Sequence, residues 1–271
     1  MLAIIDGDTL AYKSCPGRSN KNDNVAKVIQ LNEAGQKVEI FSEEENNRYL
    51  EQVWDHFSKG LARMLATCVA SDYLMAIKGP DNFRFEVYDD YKKHRTAAPS
   101  PNFPIVTRIR DICEYHEMAV RSVGREADDL IRIWANQARA IDKPYIICSN
   151  DKDLRCIPGM HCNIKSLQEF EVFEVTELEA MRNYYQQLLS GDLTDSIPGV
   201  KGIGVVGAKN MVKECISEEE LQELVVGAYV TAYSDDWSSM LLSNGKLIHI
   251  QESPDDYFSF KNWPLARELL E

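Results

Sequence analysis

Nine carboxylates stand where they could act together: Asp6, Asp81, Glu126, Asp128, Asp129, Asp151, Asp153, Asp192 and Asp195. They fall in knots, and five of them lie in one stretch, Gly124 to Leu154. Acids crowded beside apolar chain repel each other and resist leaving water, so such a set becomes tolerable when cations sit among it. Oxygen donors without a consistent His or Cys favour hard cations, Mg²⁺ or Mn²⁺. The set also exceeds what one octahedral ion can use. Two ions about 3.5–4 Å apart are the economical reading, and such a pair suits in-line displacement at phosphorus.

The elements that must position these acids are legible as apolar runs. Leu2-Ala3-Ile4-Ile5 ends at a polar turn, Asp6-Gly7-Asp8. Tyr73 to Ile77 leads into Lys78-Gly79-Pro80-Asp81, and Tyr145-Ile146-Ile147-Cys148 leads into Asp151 and Asp153. Each reads as a buried strand with acids at its carboxyl end, where open parallel sheets build their sites. Ala119 to Val123 reads as a further strand. In mid-helix Glu126 and Asp128 would point ~200° apart. They converge if they occupy a loop or the first turn at a helix N-terminus, where the helix dipole also favours acids.

Between the strands lie helices. Ser42-Glu43-Glu44-Glu45 is a capping box. The helix it opens carries Tyr49, Leu50, Val53, Trp54, Phe57, Leu61, Met64, Leu65 and Cys68 at three-and-four spacing. Ile105 to Met118 reads as a helix with His116 on its face. Thr176 with Glu179 caps another that runs to about Ser190, and Ser217 opens a further one. Residues 25–41 read as a hairpin with its turn at Asn32-Glu33-Ala34-Gly35-Gln36, and the alternating FEVFEV within residues 164–175 as an edge strand. Ser243-Asn244-Gly245-Lys246 reads as a hairpin turn before a strand-like LIHIQ. Strands alternating with helices predict an α/β fold with a mainly parallel sheet flanked by helices.

Two stretches carry positive charge. In FRFEVYDDYKKHR, Arg84, Lys92, Lys93 and Arg95 cluster with Tyr88 and Tyr91 interleaved. A loop with three prolines follows, Thr96 to Pro104. The second stretch, Gly202-Ile203-Gly204-Val205-Val206-Gly207, matches the dinucleotide fingerprint in letters only, because no buried strand leads into it. It reads instead as a helix-hairpin-helix, with Ile197-Pro198-Gly199-Val200 in the hairpin and the second helix starting near Gly204. Glycines let a backbone come close to phosphate, a helix N-terminus offers N–H donors, and Lys201 and Lys209 add charge.

The net charge of −13 over 271 residues argues against non-specific binding to nucleic acid or anionic membrane, unless the basic residues are concentrated locally. Seven scattered cysteines without a C-x-x-C read as reduced thiols, which predicts a cytoplasmic protein. Zinc on Cys156, His161 and Cys162 is disfavoured because the paired spacing of zinc sites is missing. An acid at position 6 excludes a signal peptide starting at Met1, and no apolar run is long enough for a membrane span.

In order along the chain, Asp6-Gly7-Asp8, Asp81 with Arg84 and Tyr91-Lys92-x-x-Arg95, Glu126-Ala127-Asp128-Asp129, Asp151-Lys152-Asp153 and Gly191-Asp192-x-x-Asp195-Ser196-Ile197-Pro198-Gly199-Val200 resemble the 5′-nuclease (flap endonuclease) superfamily. The set looks most like the phage-type 5′–3′ exonucleases. The resemblance implies a PIN-like core over residues 1–190 and a helix-hairpin-helix region with a C-terminal extension over 191–271. It implies metal-dependent hydrolysis of DNA phosphodiesters, leaving 5′-phosphates, in DNA replication or degradation. It places Asp6, Asp81, Glu126 and Asp128 around one ion and Asp128, Asp151, Asp153 and Asp192 around a second, with Asp129 and Asp195 acting directly or through water. Lys92 and Arg95 would stand beside the scissile phosphate. Arg84, Tyr91, Lys93, Gly199, Lys201, Gly202, Gly204, Gly207 and Lys209 are expected to meet DNA. A K⁺ on backbone carbonyls near Val200 and Ile203 is expected as in relatives. The expected partner is duplex DNA with a 5′ end, nick or flap, with RNA–DNA hybrid as the alternative. A catalytically silent DNA-binding protein is the rival from another class; the presence of every acid the motifs require counts against it.

Overall fold

The computed structural model describes residues 1–15, 27–31, 37–93 and 102–271. Arg95, the loop from Thr96 to Pro101 and the turn at 32–36 lie outside the described residues. The chain opens with β1 (Leu2–Asp6), every residue of which is buried, and passes directly into α1 (Gly7–Ser14). The polar turn expected at Asp6-Gly7-Asp8 is therefore a helix start. Asp6 is its N-cap and accepts from Thr9 N at 3.0 Å, so the short polar sequence satisfies a helix end instead of reversing the chain. An antiparallel pair follows, β2 (Lys27–Leu31) with β3 (Lys37–Phe41), as the hairpin pattern predicts.

The capping-box helix is α2 (Glu43–Thr67), with Ser42 Oγ accepting from Glu45 N at 3.2 Å. It buries Val53, Phe57, Leu61 and Met64 against the sheet, about 1.5–3 kcal/mol for each large side chain. Then come β4 (Asp72–Ile77), a single turn α3 (Arg84–Val87) and α4 (Phe103–Tyr115). Next are the short β5 (Val120–Arg121), α5 (Ala127–Ala140) and β6 (Tyr145–Cys148). β7 (Gly159–Ile164) and β8 (Phe170–Val175) complete a six-stranded sheet in the order β5-β4-β1-β6-β7-β8. Only β8 is antiparallel, an edge strand as FEVFEV suggests. α2 and α4 cover one face of the sheet and α5 the other, which yields two apolar layers.

Five helices follow: α6 (Glu177–Ser190), α7 (Val205–Val212), α8 (Glu218–Tyr233), α9 (Trp237–Ile248) and α10 (Pro264–Glu268). They enclose a separate core built on Leu188, Val225, Tyr229, Leu241 and Trp263. Tyr185, Leu188 and Leu189 of α6 belong to this core, so a division at residue 190 would cut through it. The Asn244-Gly245 hairpin turn does not form. Both residues lie inside α9, and LIHIQ is its last turn plus an extended strap. Tertiary packing overrides the local signal: Asn244 Nδ2 donates to Tyr229 Oη at 2.8 Å, and the Phe258 ring sits where a Cβ on Gly245 would be. Cys156 and Cys162 face different apolar layers, which rules out a shared zinc site.

Candidate metal centre and nucleic-acid interface

The carboxyl ends of β1, β4 and β6 open onto one cleft of about 980 Å³. Eight of the nine expected acids line it: Asp6, Asp81, Glu126, Asp128, Asp151, Asp153, Asp192 and Asp195. Asp6 ends β1 and is fixed by Thr9 Oγ1 (2.5 Å) and Ser149 Oγ (2.7 Å). Asp81 lies in the loop after β4, where its Oδ1 accepts from Gly124 N at 2.9 Å. Glu126 is the N-cap of α5 and Asp128 lies in its first turn, as their convergence requires. Asp151 Oδ1 accepts from Asp153 N at 2.9 Å, and Gln187 Nε2 holds Asp153 Oδ1 at 2.6 Å. Asp192 and Asp195 come from the loop between α6 and α7.

The electrostatics are those of carboxylates with too little positive charge among them. Burial and the adjacent Asp151, Asp6 and Glu126 charges hold the Asp128 carboxyl well above its ordinary value. Burial, then Asp8, pushes Asp6 up. Burial, then Asp151 and Asp192, raises Asp153 to about 7. For Glu126 burial works in the same direction, but Lys92 and Arg84 outweigh it and hold the carboxyl below its usual range. An all-carboxylate donor set that clings to protons is what a divalent cation would relieve. The residues present fit such ions.

Lys92 sits among these acids. Its Nζ pairs with Glu126 and lies 3.5 Å from Asp195 Oδ2 and 4.9 Å from the centre of the Tyr91 ring. Its backbone is left-handed, φ 57°, and its N–H donates to Asp195 O at 2.9 Å. A non-glycine residue in that region costs about 1–3 kcal/mol and persists where the surrounding structure holds it, here the bond to Asp195 O.

Three expectations are corrected. Asp129 faces away from the cleft and is fully buried, one oxygen 2.8 Å from Arg84 Nη1 and the other 2.9 Å from Nη2. It also accepts from Glu126 N (2.8 Å) and Gln251 N (2.9 Å), so it has no oxygen to offer an ion. Arg84 cannot reach DNA, because its remaining donors go to the carbonyls of Leu247 and His249. Tyr91 is 3% exposed and acts as packing beneath Lys92. Lys93 is exposed and paired with Asp90 at 2.7 Å.

Pattern reading passed over two cations. Arg110, on the buried side of α4, holds Asp8 at 2.7 Å on the cleft wall. Lys78, the residue after β4, lines the cleft with its side chain exposed; desolvation, then Lys92 and Arg110, pushes its ammonium below its ordinary value. The available signal was position: Lys78 follows a strand end, and Arg110 adjoins the apolar face of α4.

The glycine-rich stretch forms a helix–loop–helix, α6 to α7. Its loop is closed by paired backbone bonds between Asp192 and Ile197, 2.9 and 2.8 Å. Gly191 and Gly199 have φ of 65° and 62° and touch back to back; a Cβ on Gly199 would lie 2.2 Å from Gly191 N. Gly199 is buried, and its carbonyl accepts from Tyr233 Oη at 2.8 Å. Lys201, Gly202, Gly204, Val205, Val206, Gly207 and Lys209 are exposed around the start of α7.

Residues 1–186 match the family described as 5′-3′ exonuclease, N-terminal resolvase-like domain. The chain belongs to this family. Among relatives of this 5′–3′ exonuclease-family chain, DNA polymerase I of Chloroflexus aurantiacus is 29% identical over 187 residues, covering 62% of this chain and 20% of that protein. Flap endonuclease Xni of Pseudoalteromonas translucida is 24% identical over 208 residues, covering 74% and 81%. The chain thus spans about a fifth of the polymerase and four fifths of the endonuclease. In fold it is similar to a bacteriophage T5 flap endonuclease solved as a pseudo-enzyme–product complex with DNA and metal ions. The TM-score is 0.54 at 14% identity, over 91% of this chain and 98% of that one. The six-stranded, mainly parallel sheet flanked by helices is the PIN-like arrangement of these nucleases. Among the described residues, no helix is long and apolar enough to cross a membrane.

Proposed function

We propose that this chain hydrolyses DNA phosphodiesters from 5′ ends and at flaps, as a 5′–3′ exonuclease and structure-specific endonuclease using two Mg²⁺ or Mn²⁺ ions. The observation that carries the reading is the convergence of eight carboxylates from five loops and helix starts on one cleft, with Lys92 held among them. Asp6, Asp81, Glu126 and Asp128 would hold one ion; Asp128, Asp151, Asp153 and Asp192 the other, with Asp195 acting through water. Bound there, the pair of cations lowers the proton affinity of the attacking water and offsets charge on the leaving oxygen.

The chain's own residues do the rest. Lys92, held by its left-handed backbone and the Tyr91 ring, would supply a fixed positive charge beside the scissile phosphate. Arg95 is assigned the same role from the motif. Lys78 and Arg110 also line the cleft and add positive potential there. Outside the cleft, Lys201, Lys209 and the exposed amides at the start of α7 grip the duplex backbone, a contact that carries no sequence information. We assign residues up to α6 to catalysis and the α6–α10 helices to duplex binding. K⁺ on the carbonyls of Val200 and Ile203 is the finer proposal; Val200 O accepts one bond, from Ile203 N at 3.0 Å, and keeps a lone pair. A role in DNA replication or degradation belongs to the same proposal, and the scattered thiols favour the cytoplasm as its setting.

The test is digestion of matched 5′- and 3′-labelled duplex, flap and RNA–DNA hybrid in Mg²⁺ and in EDTA. The proposal requires release from the 5′ label, cutting of the flap and none in EDTA. Cutting confined to the hybrid would replace it with removal of RNA from hybrids. Duplex binding without any cutting would leave a silent DNA binder.

A further inference from the structure

Three thiols converge in the α2-side core, away from the acidic cleft. Cys148 ends β6 and is paired in register with Cys162 on β7, so both sulfurs leave the same face of the sheet. Cys68, the residue that closes α2, lies over them. The Cys68 and Cys148 sulfurs are 3.9 Å apart, and all three lie within 4.8 Å of one another. Each residue is at most 2% exposed, and none of the three lines the cleft.

A free cysteine packs as a small hydrophobe, which accounts for the burial of each thiol taken singly. It does not account for three sulfurs meeting. Cys15, Cys113, Cys156 and Cys215 are thiols as well, and among the described residues only this trio gathers. The spacing has a chemical meaning. A triangle of sulfurs with 3.9 Å sides has its centre about 2.3 Å from each corner, the length of a zinc–thiolate bond. The other two sides are at most 4.8 Å.

We propose that Cys68, Cys148 and Cys162 form a three-coordinate site for a thiophilic divalent cation of the zinc–cadmium class, separate from the hard-ion centre. Soft sulfur ligands select such ions, whereas the carboxylates of the cleft select Mg²⁺ or Mn²⁺. Each thiol that ligates such an ion is deprotonated, so three thiolates around a divalent ion carry a single negative charge. Three protons therefore leave for each cation that enters, and no electron moves. The strand that carries Cys148 continues into Ser149, which bonds Asp6, so loading also stiffens the β6 end of the cleft.

Cadmium is the probe, because its thiolate bonds give an ultraviolet charge-transfer band. The full chain is loaded in excess Mg²⁺, both by prolonged incubation and by refolding with the metal, since the sulfurs are sealed from solvent. The proposal requires one tightly held cadmium per chain by native mass spectrometry, the charge-transfer band, and release of three protons per ion. Cys148→Ala and Cys68→Ala should lose the band while keeping a native circular-dichroism spectrum, and Cys156→Ala should keep it. Should either triad variant misfold, the parent decides: cadmium must raise its Tm, and must not raise that of Cys162→Ala. Absence of the band after both loading routes, or its persistence in Cys148→Ala, would overturn the site.

Discussion

Asp128 looks into the cleft among Asp6, Glu126 and Asp151, whereas Asp129, one residue further along the same helix turn, is sealed against Arg84. Both are acids at the N-terminus of α5, and their charge states are driven in opposite directions. Asp128 is held well above its ordinary value by burial and by like charges. At Asp129 burial also pushes upward, but the Arg84 guanidinium and the amides of Gln251 and Glu126 outweigh it and hold the carboxyl low. The contrast separates two uses of charge. The pair Arg84–Asp129 is internally satisfied and ties α3, α5 and the strap after α9 together. The cleft acids are left under-compensated, and that imbalance is the binding energy offered to cations.

The largest effect should come from breaking the sealed pair. Asp129→Ala strands a buried guanidinium and should cost about 3–5 kcal/mol in denaturant unfolding. Arg84→Met with Asp129→Leu should recover much of that loss, because apolar replacement of both partners of a buried pair is often near neutral. No recovery would mean that the amides of Glu126 and Gln251 depend on Asp129 more than Arg84 does.

Asp128→Asn should do the reverse. Cutting in Mg²⁺ should fall at least ~100-fold, the upper end of the loss seen when a metal site's outer partners are removed. In EDTA the same variant should be more stable than the parent, because a repelling carboxylate is gone. A loss of stability in EDTA would contradict the imbalance.

A smaller effect follows from pH. Unfolded Asp153 ionises near its ordinary value, while folded Asp153 keeps its proton up to about 7. The folded state therefore binds more protons between those values, and stability without metal falls as pH rises through 7. In EDTA, Tm should rise from pH 8 to pH 6, by about 2–4 °C per kcal/mol regained. Saturating Mg²⁺ should flatten that slope, because ions then do what protons did. At the acid end, Glu126 and Asp129, both held low, lose their contributions as pH falls below the usual carboxylate range.

The smallest effect lies furthest from the acids. Lys201→Ala with Lys209→Ala should weaken duplex binding and reduce the salt slope by about 1.8, two phosphate contacts' worth. An unchanged slope would remove α7 as the anchor.

Much of this was legible in the chain because it is local. Apolar runs ending in acids placed β1, β4 and β6 correctly, and helical geometry with the dipole's preference for acids put Glu126 and Asp128 in a loop or first turn at a helix start, where the structure has them. The direction of Asp129 was not legible. Which way an acid in a first turn points depends on its partner, and Arg84 lies 45 positions away in sequence. Arg84 looked like a DNA contact for the same reason: its basic neighbours are near in sequence, and its acid is not. Asn244-Gly245 carried a strong turn signal that the Tyr229 and Phe258 contacts override. Lys78 and Arg110 went unnoticed because they oppose the cleft acids only once the sheet is assembled.

The central claim is that the cleft acids, without Asp129, hold two catalytic cations. Counting Mn²⁺ per chain by isothermal titration of the parent, Asp128→Asn and Asp129→Asn, with nuclease rates on the same samples, tests it most directly. The account predicts two ions and rapid cutting for the parent, and loss of both ions and of cutting for Asp128→Asn. Asp129→Asn, where folded, should keep two ions. Two ions with undiminished cutting in Asp128→Asn, or loss of an ion in folded Asp129→Asn, would contradict it.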